Sequence, residues 1–476
     1  MNERLISWYG RKGFSPSTVA CALLLAGSAA PAWAVPSFAR QTGMSCAACH
    51  TVFPELTPFG REFKLNGYVV DNMRQIKGAT MENRETLSLN SIPPVSMMLQ
   101  VSYTHTAAAL PDSAIEGALA KNGDVLFPDQ ASLFYAGKIA NDLGAFVQLT
   151  YDGAADHFAL DNTDVRYARY VSVAEPAEAG SSGGRRHDVL LGLSLNNNPG
   201  VQDPWNSTPA WGFPYASSGV APAPFAATKV DGTLAQTVAG LSAYAWIDHA
   251  WYAELGAYSE AVVGGAHPLD STQAQVVRGV SPYWRLGYEF RWDRNSLLIG
   301  TYGLETSILP GSGHPLNGPT DHFTDVAADA QYQFIGDDHL VTFLATYIHE
   351  NQHLDASASE AYGAAANATN SLRTIKAALE YSYRRTIGGS VGFFDTSGSA
   401  DALLYPNDGS VNGSLTGSPD SRGYLFEVDY LPFLNTKLSV QYVGYTAFNG
   451  GGSDYAGAGR AASDNNTLYL LCWINF

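Results

Sequence analysis

Along much of this 476-residue chain, apolar side chains recur at every second position. Trp284, Leu286, Tyr288, Phe290 and Trp292 are apolar, and Arg285, Glu289 and Arg291 alternate with them. Tyr424, Phe426, Val428 and Tyr430 repeat the pattern around Glu427 and Asp429. Period two is the spacing of a β-strand with one greasy and one polar face. The pattern predicts strands near 94–107, 131–140, 143–152, 160–173, 187–195, 235–247, 249–261, 282–293, 295–306, 322–334, 339–351, 371–384, 388–395, 422–431, 436–447 and 466–476. Every second connection is short, as at Asn141–Asp142, Asp248, Arg294 and Gly336–Asp338, with 174–186 the exception. The others are long, among them 108–130, 196–234 and 396–421.

Short turns alternating with long loops, aromatics at strand ends and charges on the inward parity are the marks of an outer-membrane barrel. The expected fold is all-β and transmembrane, an antiparallel outer-membrane β-barrel of about 16 strands. An even count puts both mature termini on the periplasmic side. The last residue, Phe476, closes a terminal strand, as in bacterial outer-membrane proteins. The competing fold is a large secreted β-protein. A barrel of this size encloses water unless something fills it. Segment 196–234 has two readings, an inward constriction or a surface loop.

Residues 1–34 read as a secretory signal peptide: Arg4, Arg11 and Lys12, an apolar Val19–Ala30, then Ala32-Trp33-Ala34. The mature chain is expected to start near Val35, with residues 35–90 as one segment and 91–476 as the barrel. Three of the 27 Lys/Arg and one of the 44 Asp/Glu lie in the leader, which leaves 24 against 43, a net charge of −19. That balance argues against a nucleic-acid partner and suits cations. Outside the leader the cysteines are Cys46, Cys49 and Cys472, too few for a disulfide framework. Cys472 shares the outward parity of Leu470 and Ile474.

Cys46-Ala47-Ala48-Cys49-His50 is the attachment signature of c-type haem. Two thiols add to the haem vinyl groups and the histidine gives iron an axial nitrogen. A zinc site would need a second ligand pair, and a redox Cys-x-x-Cys would sit in a thioredoxin-like α/β pattern. Thr57-Pro58 reads as a helix N-cap with proline at N1, and Gly67 as the helix end. Phe59 and Phe63 share one helical face and are candidates to cover the haem plane. Arg40, Arg61 and Lys64 are candidate partners of the propionates, with solvent exposure as the alternative for each. Met73 or Met81 is the candidate sixth ligand; Met44 is close to the attachment site, and His105 and an open position are further options. With little chain before the barrel, this is a small haem-bearing segment whose natural place is the periplasmic mouth or the lumen, as a plug.

The block Pro36-Ser37-Phe38-Ala39-Arg40-Gln41-Thr42-Gly43, the Cys-x-x-Cys-His pentapeptide, Pro54-Glu55-Leu56, Gly60-Arg61, Phe63-Lys64 and Gly67-Tyr68 closely resembles the fused outer-membrane monohaem cytochrome–porins of iron-oxidising bacteria. The resemblance is dense over about 35 residues and architectural beyond them, including the Asn-Asn-Pro and Asp-Pro-Trp-Asn loop. It implies one covalent haem c on Cys46 and Cys49, ligated by His50. It also implies Fe(II) oxidation at the cell surface, with electrons passed to a soluble periplasmic c-type cytochrome or a cupredoxin. Family members in organisms not known to oxidise iron leave another extracellular donor open, and a transport porin with a haem redox gate is a further alternative. Asp112, Glu116, Asp124 and Asp129 are candidate loop carboxylates to concentrate ferrous iron, and His157, His267 and His314 are candidate loop histidines.

Overall fold

The computed structural model describes residues 36–71, 73–77, 80–81, 84–85, 88–110, 121–174, 186–260, 276–310, 318–407 and 410–476. The leader, Asp112, Glu116, His267 and His314 lie outside them. Among the described residues, sixteen antiparallel strands close into a barrel. They are β1 Val95–Thr106, β2 Val125–Ala140, β3 Leu143–Asp152, β4 His157–Ala174, β5 Arg186–Asn196, β6 Val238–Ile247, β7 Trp251–Glu260 and β8 Ser281–Trp292. The ring continues with β9 Asn295–Leu309, β10 Asp321–Ile335, β11 His339–His353, β12 Thr369–Tyr383, β13 Ile387–Gly398, β14 Ser421–Phe433, β15 Thr436–Ala447 and β16 Thr467–Asn475. A two-residue strand, Val276–Val277, adds to β9. β16 pairs with β1 from Thr467↔Thr106 to Asn475↔Met98, which closes the ring.

Each strand predicted from period two is present. β2 differs most, since it begins at Val125 rather than near 131, where Pro128 interrupts the alternation. Asp129, taken as a loop carboxylate, is therefore a buried wall residue whose Oδ2 accepts from the Tyr469 hydroxyl at 2.6 Å. His157, taken as a loop residue, opens β4. Asp124 is exposed beside Lys121.

The outer face is apolar. Leu255, Leu286, Phe426 and Val428 point outward, and Arg285, Glu289, Glu427 and Asp429 point inward and are buried. No helix among the described residues is long and apolar enough to cross a membrane; the strands do so. Trp251, Trp292, Tyr383 and Tyr430 stand exposed at one end of their strands, forming the aromatic girdle expected at a membrane interface. That end carries the short turns. At two of them, Asp248-His249 and Arg384-Arg385, both residues have positive φ, as tight hairpins require. Both ends of the barrel sequence also lie there, with Phe476 exchanging backbone hydrogen bonds with Met97.

Residues 36–71 form three short helices, α1 Pro36–Thr42, α2 Cys46–Cys49 and α3 Pro58–Leu65. Thr57 caps α3, its side chain accepting from the Gly60 N–H, with Pro58 at the first position. Gly67, at φ +68°, ends it: Tyr68 N–H reaches the Phe63 carbonyl and Gly67 N–H that of Lys64, a Schellman closure.

The three helices sit inside the short-turn mouth, because most wall residues that hold them, on β2, β8, β9 and β11, lie toward the short-turn end of their strands. Gln41 donates to the Ala136 carbonyl of β2 and the Tyr68 hydroxyl to Asp164 of β4. Arg61 donates to Glu289 of β8 and Ser296 of β9, and Glu55 accepts from Thr342 of β11. Beyond them, the long segment after β5 folds inward rather than outward. Trp205 is fully buried, its indole N–H donating to Glu289, and Ser207 reaches Asp329 of β10.

Candidate functional site

Cys46, Cys49 and His50 line a cavity of about 440 Å³ enclosed by the helical plug, the wall and the infolded segment. Phe59 and Phe63 of α3 line it too, as their shared helical face predicts. Met98 and Phe134 come from the wall and Trp211 from the infolded segment. The volume lies within the range of cofactor pockets.

The local packing is set by a glycine. A Cβ at Gly60 would lie 2.2 Å from the Cys49 carbonyl oxygen, so only glycine lets α3 close onto α2 at this point. Thr57 adds a second tie, its hydroxyl donating to the Ala48 carbonyl at 2.7 Å. Neither Cys46 nor Cys49 is in a disulfide. Burial, with Cys46 alongside, pushes the Cys49 thiol up to about 11.

The imidazole of His50 is oriented by its neighbours. Its Nδ1 lies 3.2 Å from the Glu55 carbonyl and 3.3 Å from that of Pro54. Carbonyls only accept, so Nδ1 carries the proton and Nε2 keeps its lone pair. Burial also lowers the His50 pKa, against the raising effect of those carbonyls, which favours the neutral ring. A neutral imidazole with Nδ1 tied to a backbone carbonyl is the usual state of a metal-ligating histidine. The residues present therefore suit a covalently attached metal macrocycle: two adjacent thiols, a pre-oriented imidazole and an aromatic-lined space.

The remaining candidates separate. Lys64 lines the cavity, but its Nζ donates to the Val201 and Asp203 carbonyls at 2.7 and 2.8 Å and sits 4.4 Å above the Trp211 ring. Burial, followed by the Arg166 charge, lowers its pKa to about 7. Arg61 does not line the cavity. Its fully buried guanidinium points into the wall, pairing with Glu289 at 2.6 Å and reaching Gln331 and Gln333. Arg40 donates to the Val95 carbonyl at the rim and does not line the cavity either. The propionate role is therefore dropped for Arg61, whose guanidinium is committed to the wall, while Arg40 is solvent-exposed at the rim, the alternative given for it.

Met73 is buried against Phe63 and Tyr68, outside the lining. Met81 lies on the short strand Thr80–Met81, and its side chain is outside the described residues. The methionines that do line the cavity are Met44 and Met98. Met98 carried a signal in the sequence: it has the inward parity of β1, whereas Met97 points out, as does His105.

Neither a protein-family model nor a curated protein matches the chain. Among solved structures it is similar to Salmonella typhi OmpF in complex with daunomycin, at 10% identity over 80% of this chain and 97% of that one, with a TM-score of 0.42. OmpT of Vibrio cholerae follows at 9% identity over 80% and 97%, TM-score 0.41. The outer-membrane channel DcaP of Acinetobacter baumannii is 11% identical over 80% and 96%, TM-score 0.40. These likenesses carry no argument about function; the closed register and the apolar exterior establish the porin-like barrel.

Proposed function

We propose that this chain is an outer-membrane electron-transfer protein that holds one covalent haem c inside its barrel. The reading takes Fe(II) outside the cell as electron donor and a soluble periplasmic c-type cytochrome or cupredoxin as acceptor. The observation that carries it is the convergence of Cys46, Cys49 and His50 on one large cavity within the lumen. Haem c, when attached, supplies a one-electron iron couple.

The chain's residues have separable tasks. Cys46 and Cys49 would form the two thioethers, and His50 would present Nε2, held by the Pro54 and Glu55 carbonyls. Phe59, Phe63 and Trp211 restrict water, and Met44 and Met98 are the methionines that share the lining, Met98 from the wall. In outer-membrane barrels short turns face the periplasm. On that orientation both mature termini and the plug stand at the periplasmic mouth, within reach of a soluble acceptor. A filled lumen supports electron transfer over solute passage. The choice of Fe(II) among extracellular donors rests on the resemblance of residues 36–68 to the iron-oxidiser block.

The test is attachment. Protein purified with its maturation system should carry one haem c per chain, by mass and by the reduced absorption spectrum. Cys46→Ala/Cys49→Ala should lose all of it while the barrel still shows the heat-dependent gel mobility of a folded porin. A wild-type chain that folds without covalent haem would overturn the reading.

A further inference from the structure

On the haem reading, His50 fills one axial position of the iron. What fills the other sets the potential and decides whether small molecules reach the metal. Besides His50 and the two thiols, six side chains of the cavity lining carry a thioether, amine, phenol or carboxylate. They are Met44, Lys64 and Tyr68 of the plug, Met98 and Asp161 of the wall, and Tyr215 of the infolded segment.

Four of the six are committed elsewhere. Lys64 Nζ donates to the Val201 and Asp203 carbonyls. The Tyr68 hydroxyl donates to Asp164 at 2.6 Å, and that of Tyr215 is hydrogen-bonded to Glu380. Asp161 accepts from Thr150 through Oδ2 and from Gln236 through Oδ1. Met44 is separated from Cys46 by Ser45 alone, so attachment at Cys46 holds its backbone at the edge of the macrocycle.

Met98 differs from these five. It is 4% exposed and belongs to the buried cluster that contains Cys46, Phe53 and Phe134. Its strand is paired on both sides, with Met98 opposite Asn475 of β16 and Ser132 of β2, which fixes the backbone. Gln100, also in the lining, donates from Nε2 to the Met98 sulfur at 3.9 Å. A thioether is only a weak acceptor, so this contact orients the sulfur and leaves a lone pair for a metal.

We propose that Met98 is the second axial ligand of the haem iron. The proposal rests on the haem reading given above. His50 belongs to the plug and Met98 to β1, so the two ligands would tie plug to wall through the metal. Histidine with methionine raises the potential of a c-type haem and leaves no open position on the iron. That suits a carrier that only passes electrons.

The experiment uses the full-length protein, purified with its haem in detergent, and reads ligation rather than turnover. Oxidised wild type should show the near-infrared charge-transfer band of methionine-ligated ferric haem. Met98→Leu, close to methionine in volume, should lose that band, lower the potential and let carbon monoxide bind the reduced haem. Met98→His, which offers an imidazole from the same place, should block carbon monoxide again without restoring the band. Met44→Leu should keep both band and potential, and it keeps the test open if the Met98 variants do not fold. An attached wild-type haem without the band would overturn the proposal and leave the haem reading standing. So would a band that survives in folded Met98→Leu or disappears in folded Met44→Leu. A wild-type chain that folds without covalent haem would overturn both.

Discussion

The barrel wall and the plug are held by different physics. The wall is held by backbone ladders between sequence neighbours, with apolar side chains turned to lipid and the ring closed by β16 on β1. The plug is held by side chains reaching across 200 residues and more, such as Arg61 to Glu289 and Glu55 to Thr342. The wall's stability is therefore spread over many equivalent positions, whereas the plug's is concentrated in a few buried polar groups. Single substitutions should separate the two regions cleanly.

The largest effect is expected at Arg61. Its guanidinium and Glu289 are both buried, and removing one partner of such a pair costs about 3–5 kcal/mol. Arg61→Met should release the plug, seen as fast amide exchange and proteolysis over residues 36–71, while the barrel keeps its mobility. Adding Glu289→Gln should recover part of the loss. A plug as protected in Arg61→Met as in wild type would break the comparison.

The converse substitution is Leu255→Arg, on the outer face in the middle of β7, where the native side chain is 73% exposed. Arginine on the lipid face near the midplane costs about 2–4 kcal/mol. Urea unfolding in lipid vesicles should show that loss as a lower barrel midpoint. The folded fraction should keep the same plug protection as wild type. No change in the midpoint would remove the lipid assignment of that face.

The last effect is a pH slope. The buried Lys64 has its pKa lowered to about 7, from about 10.4 in an unfolded chain. Between those values the unfolded chain binds a proton that the folded one lacks, so stability rises with pH across that window. Below about 7 both forms are protonated and the penalty is complete. Wild type should gain stability from pH 7 to 10 relative to Lys64→Met, measured by denaturant midpoints. Parallel profiles would show that the Lys64 ammonium is not disfavoured by burial.

The same difference explains what the sequence disclosed. Period two is local, so sixteen strands could be counted from residue spacing alone, and the short turns at Asp248 and Arg294 stood out between them. The start of β2 was missed because Pro128 breaks the pattern while the strand continues through it. Within the plug, the α3 cap at Thr57-Pro58, the Gly67 stop and the shared face of Phe59 and Phe63 were also local and legible. The destination of Arg61 was not. A basic residue near a haem-binding motif reads as a propionate partner, and nothing nearby in sequence announces Glu289, Gln331 and Gln333. For segment 196–234 the sequence left inward and surface courses both open, because its buried Asp203 is matched by Arg285 on a strand eighty residues on.

We propose that electrons from outside the cell enter a haem held by Cys46, Cys49 and His50 in this lumen. The most direct measurement mixes oxidised, purified protein with excess Fe(II) without oxygen and follows the haem absorption bands. Prompt reduction is expected in wild type, with its loss in a folded His50→Ala chain. A wild-type haem that stays oxidised in excess Fe(II) would contradict it.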